Sequence, residues 1–147
     1  MRERLAWLRR ELGFSRESFH RLQGVDMLIV PGSSQFIDGY GGAWGFPFTL
    51  LRWTVLARLS GTPICFLSLG AETLRFPLSR WMIRRTVGLA NYVSLRDNVS
   101  LDRLRKQGVR RHIPIAPDLS LAYPAPTPDP AKRGARGPVT VGINPSC

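Results

Sequence analysis

Cysteine, histidine and lysine are nearly missing from this sequence. Two cysteines and two histidines in 147 residues provide no disulfide framework and no ligand spacing for zinc, which excludes a stapled secreted scaffold and a zinc enzyme. Cys65 sits inside an apolar run and is expected to be a buried thiol, while Cys147 is the last residue. Acidic residues are scarce as well, 10 against 21 lysines and arginines, and the formal charge is +11. Only Lys106 and Lys132 are lysines, so arginine carries the positive charge. Such a balance can serve an anionic partner, but most of these arginines read as spread over helix surfaces. They are scattered along the chain, and aromatics are not interleaved with them. A basic, non-catalytic nucleic-acid-binding module therefore stands only as an alternative, one that predicts affinity falling steeply with salt.

No long apolar run is present. The most apolar stretch, residues 46–69, is interrupted by Arg52, Arg58, Gly61 and Pro63, which argues against a membrane span. The opening MRERLAWLRRELG is charged throughout, unlike a secretory leader. The expectation is a soluble, cytoplasmic protein with no integral membrane segment. Three signatures are also lacking. There is no G-x-G-x-x-G, no Gly-Lys-Ser/Thr loop and no G-x-S-x-G elbow, which disfavours a nicotinamide dehydrogenase, a P-loop ATPase and a serine hydrolase.

What is present is an alternation of helices and short apolar strands. Leu5, Leu8 and Leu12 give a helix over residues 2–12 that Gly13 should end, and Ser15 should cap a second over 15–22. Val25–Val30 reads as a strand, Pro47 opens a helix to about Leu59, and Ile64–Leu69 is a second strand. That helix is apolar almost all round, which points to packing on a sheet. A helix from Pro77, a strand Tyr92–Leu95, a helix Asn98–Gln107 and a strand Ile113–Ala116 follow. This order predicts an α/β fold, a Rossmann-like parallel sheet with flanking helices and right-handed crossovers. Residues 1–122 would form that domain and 123–138 a Pro-rich basic linker. Residues 139–147 would begin a second, truncated domain.

In open parallel sheets ligands bind beyond the carboxyl ends of the strands. Gly32, Ser33, Ser34 and Gln35 follow the first strand, with Asp38 a little further on. Ser68, Gly70 and Glu72 follow the second, Arg96, Asp97 and Ser100 the third, and Asp118 the fourth. Plainer uses compete with ligand binding at each position. Asp97 or Asn98 can cap the following helix, Arg96 can pair with a neighbouring carboxylate, and Asp38-Gly39 is a common turn pair.

The ordered set of motifs resembles the polysaccharide pyruvyl transferase family. It consists of D-M-L-I-V-P-G-S-S-Q-F-I-D (26–38), G-T-P-I-C-F-L-S-L-G (61–70), V-S-L-R-D-N-V-S-L-D-R-L (93–104) and A-P-D (116–118). V-G-I-N-P (141–145) resembles the opening strand of the family's second domain. The chain departs from the family pattern in having Gly32-Ser33-Ser34 for a glycine triplet, no Gly-Pro after Ser68, and Leu119 after Asp118.

The resemblance implies two Rossmann-like domains facing a cleft, as in GT-B glycosyltransferases, with this chain supplying the N-terminal one. It also implies transfer of pyruvyl from phosphoenolpyruvate to a sugar of a cell-surface polysaccharide; no cofactor and no metal ion are expected. Asp38 would be the acid/base or a ligand for the acceptor hydroxyl, and Arg96 a ligand for an anionic group. Gly32, Ser33, Ser34, Gln35, Ser68, Gly70, Asp97, Ser100 and Asp118 would line the substrate site. With much of the donor site on the second domain, the chain alone would be an inactive fragment. A GT-B glycosyltransferase half-domain using a nucleotide sugar is the alternative enzyme.

Overall fold

Residues Arg2–Leu22 form one unbroken helix, α1, in a computed structural model that describes residues 2–124, with side chains from Arg10 onward. The expected break at Gly13 is absent. Interior glycine costs a helix about 1 kcal/mol, and contacts on either side of it hold α1 against the helix Phe46–Ser60, α2. Glu11 pairs with Arg52, Phe14 meets Trp53 edge-on at 5.7 Å, and the Thr62 hydroxyl donates to the Leu22 carbonyl at 2.7 Å.

The first strand, β1, spans Leu28–Pro31 and begins later than its apolar run. Val25 N–H bonds back to Leu22 O at 2.9 Å, which keeps that residue in the turn closing α1. Gly61 then ends α2 in the left-handed region at φ 79°, where glycine pays no steric penalty. Strand β2 (Ile64–Leu69), helix α3 (Pro77–Leu89), strand β3 (Tyr92–Leu95) and helix α4 (Asn98–Lys106) complete the series.

The three strands are parallel in the order β1-β2-β3, with Leu28 opposite Ile64 and Phe66 opposite Val93. Every crossover steps the same way, so right-handed connections place their helices on one face of the sheet. Phe36, Ile64, Phe66, Leu74, Ile83 and Leu95 form the buried centre beneath them. The opposite face is open: Ile29 is 50% exposed and Tyr92 also reaches solvent. Cys65 lies in register between those two and is only half-buried. The expectation of a buried thiol fails because the apolar run conceals which side of the strand the helices cover.

The expected strand at 113–116 is reduced to one parallel bridge, Leu95 with Ile115. Leu95 N–H reaches Pro114 O at 3.1 Å and Ala116 N–H reaches Leu95 O at 2.9 Å. Pro114 and Pro117 have no N–H with which to extend a ladder. Arg111 instead closes the neighbouring helix, its guanidinium donating to the carbonyls of Val87, Ala90 and Asn91. The expected linker from residue 125 onward and the expected start of a second domain at 139–147 lie outside the described residues.

Candidate functional site

The loops after β1 and β2 are stitched together through their backbones. Gly70 N–H donates to Ser33 O at 2.9 Å, Phe36 N–H to Gly70 O at 3.2 Å, and Glu72 N–H to Phe36 O at 3.0 Å. Gly32 lies so close to β2 that an added Cβ would stand 2.8 Å from Ser68 O, an approach only glycine permits. Ser68 itself is buried and holds a left-handed φ of 55°. Its N–H donates to Ser94 Oγ at 2.9 Å, where the β2–β3 register shifts. Gln35 turns back on its own loop, toward Pro31 O at 3.4 Å.

Arg96 ties this edge together. One guanidinium nitrogen, Nη2, donates to Ser34 Oγ at 2.9 Å, and Nε donates to Asp97 Oδ2 at 3.3 Å. Nη1 stands 3.7 Å from Asp118 Oδ2. The group lies across Gly70, where an added Cβ would come within 3.0 Å of both Cζ and Nε. One cation thus faces two carboxylates. Asp97 Oδ1 accepts the Ser100 N–H at 2.6 Å, capping α4, and Ser100 Oγ accepts Ala71 N–H at 2.9 Å.

Asp38 belongs to a second group. Its carboxylate is buried, and Oδ2 accepts the backbone N–H groups of Arg75 at 2.9 Å and Phe76 at 3.0 Å. It lines a cavity of about 330 Å³ together with Ile37, Gly39, Glu72, Thr73, Arg75 and Arg103, at the lower end of the size range of small-molecule sites. The Ala71-Glu72 backbone separates the two groups and is pinned by α4. Arg103 Nη1 donates to Ala71 O at 3.0 Å and Gln107 Nε2 to Glu72 O at 2.8 Å.

A sequence model of polysaccharide pyruvyl transferase matches residues 4–145, nearly the whole chain. The chain belongs to the polysaccharide pyruvyl transferase family. No curated protein and no solved structure matches it. As a member of this family of transferases it is connected with a sugar or polysaccharide acceptor. Among the described residues no helix is long and apolar enough to cross a membrane, and no group of three or more His, Cys, Asp or Glu side chains is placed to hold a metal ion.

The pyruvyl transferase motifs thus converge as two clusters. Ser34, Gly70, Arg96, Asp97 and Asp118 meet directly, Gly32, Ser33, Ser68 and Ser100 brace them, and Asp38 faces the adjoining cavity. Arg75 and Arg103 were not expected there. For Arg103 the signal was its spacing, one helical turn beyond Ser100 on the same face of α4. Arg75 carried none.

The Ser100 backbone N–H, helped by the Arg96 guanidinium, holds the Asp97 carboxyl below the usual carboxylate range. The Ser120 N–H does the same for Asp118, with Arg96 again a lesser contributor. Both folded values are depressed, so the ionised forms stabilise the fold above the unfolded value near 3.8. That contribution is lost as pH falls through the folded values. Asp97→Ala is expected to cost about 1 kcal/mol at neutral pH. In urea titrations the gap from the parent chain should narrow as the pH drops below about 4.

Proposed function

We propose that this domain serves an enzyme that moves pyruvyl from phosphoenolpyruvate onto a sugar of a cell-surface polysaccharide, in the cytoplasm. The family match over residues 4–145 carries this reading, and the gathering of its motifs at one sheet edge supports it. The balanced reaction is simple. The enol C3 takes a proton, and one sugar hydroxyl adds to C2 and releases the proton that replaces it. A second hydroxyl displaces phosphate, its proton leaving with the phosphate, to give a cyclic pyruvate ketal and inorganic phosphate.

This chemistry needs a base for the hydroxyl and cations for the donor's carboxylate and phosphate. Asp38 takes the hydroxyl proton, its orientation fixed by the two backbone donors on Oδ2. Arg96 receives one anionic group of the donor as a planar fork and releases Asp118, its most distant partner at 3.7 Å. Gly32, Ser33, Ser34, Gln35, Ser68, Gly70, Asp97 and Ser100 shape the wall around it. The remainder of the donor site lies on a second Rossmann-like domain across a GT-B-like cleft, and this domain alone is inactive.

The test supplies the two-domain enzyme with phosphoenolpyruvate and a sugar acceptor, reading phosphate release and the new ketal methyl signal by NMR. Equal yields of phosphate and ketal are expected. Turnover of a nucleotide sugar with phosphoenolpyruvate inert would instead establish the glycosyltransferase reading. Ketal formation by this chain alone would refute the division of the site between two domains.

A further inference from the structure

The helix layer carries an apolar surface used by neither the core nor the candidate site. Trp44 is 63% exposed, Phe76 48% and Trp81 43%, with Leu78 open beside them. All four stand in or just before the opening turns of α2 and α3, which pack side by side, and α3 touches the Gly42–Trp44 turn. A methyl group at Gly42 would lie 3.5 Å from the Phe76 ring, so the turn and that ring share one surface. The Trp44 and Phe48 rings meet at 5.3 Å. Phe48 leads on into a groove of about 420 Å³ between α1 and α2, walled by Leu12, Leu51 and Val55 and by the Glu11–Arg52 pair. Single exposed apolar side chains need no explanation, but a continuous run marks contact with something outside the chain.

Charge narrows the choice of partner. Arg75, Arg80, Arg84 and Arg85 are exposed and flank these residues in sequence. Arg80 Nε donates to Leu74 O at 3.1 Å, Arg84 lies beside Gly108, and the Arg85 guanidinium stands 5.7 Å over the Trp81 ring. The opening turns of α2 and α3 hold no acidic residue; Glu72, in the preceding loop, is the nearest exposed carboxylate in sequence. With a formal charge of +11, two copies brought together here would repel each other. Exposed indole and phenyl rings among arginines suit the headgroup boundary of an anionic bilayer, where rings settle beside acyl chains and guanidinium groups reach phosphates.

We propose that this surface, formed by Trp44, Phe76, Leu78 and Trp81 with Arg84 and Arg85, docks the protein onto an anionic lipid bilayer. Because α2 and α3 begin at the carboxyl edge of the sheet, docking turns the edge that carries the candidate site toward the headgroups. The proposal stands independently of pyruvyl transfer.

The test is co-sedimentation of the chain with phosphatidylcholine vesicles, plain or carrying about one quarter phosphatidylglycerol. Binding to the anionic vesicles alone is expected, weakening as salt is raised. Trp44→Ser with Trp81→Ser should weaken it about tenfold or more, and Arg84→Gln with Arg85→Gln roughly fivefold or more. Circular dichroism should not change, and if the tryptophan pair fails to fold, the arginine pair decides. The proposal is overturned by failure to bind, by equal binding to both vesicle types, or by binding that the folded variants leave intact. A dimer dissolved by the same substitutions would also overturn it, by making a second copy the occupant.

Discussion

With Asp38 as the proposed general base, an Asp38→Asn variant of the active enzyme is expected to keep its fold and lose about 10²- to 10⁴-fold in turnover. Oδ2 holds two backbone N–H groups, and an asparagine carbonyl oxygen can accept both in the same place. The amide nitrogen then replaces Oδ1, which makes no hydrogen bond among the described residues, and a proton acceptor is lost from the cavity. Asp38→Ala is different. It strips both donors of their partner in a buried setting and should cost about 2 kcal/mol or more. Urea midpoints and initial rates of phosphate release therefore separate the two roles. A stable Asp38→Asn enzyme with unchanged turnover would leave Asp38 as a clamp on the loop before α3 and remove it from the chemistry.

Gly45→Ala should be among the most damaging single-methyl changes in the chain, at about 3 kcal/mol or more. Its Cβ would stand 1.9 Å from Tyr40 O and 3.1 Å from Tyr40 C, so the backbone itself must move. Gly45 also opens α2, donating to Gly42 O at 3.3 Å and accepting from Thr49 N–H at 3.1 Å. Movement there disturbs the tight turn in which Gly41 and Gly42 both hold positive φ, 75° and 59°. Gly13→Ala provides the control. Beyond its chain neighbours and the helix's own backbone, nothing described lies within 4 Å of that added methyl, and alanine in a helix interior should stabilise by up to about 1 kcal/mol. Denaturant unfolding of the two variants is expected to shift in opposite directions.

These two glycines also mark how much of the molecule could be read from its sequence. Punctuation was legible where local chemistry decides it. Pro47 and Gly61 bracket α2 closely, Asp97 caps α4, and β2 and β3 have the expected bounds. The pairing of Arg96 with a neighbouring carboxylate, one of the two uses open to it in the sequence, is present. Gly13 misled because long-range packing outweighs a local cost, and Pro114 because a strand needs donors as well as apolar side chains. The partners of Asp38 were beyond reach. Backbone N–H groups 37 and 38 residues away carry no side-chain signature.

The strand order β1-β2-β3 has a consequence for how the domain is made. Each strand pairs with the one synthesised just before it, so the sheet can grow in step with the emerging chain and little of it waits on distant segments. The Arg96 cluster is the exception, reaching back 62 residues to Ser34. A nascent chain that has not reached residue 96 has the backbone-stitched loops but not the guanidinium that caps them. The Arg96 cluster therefore closes only after β3 has been made, and its last member, Asp118, comes later still in the chain.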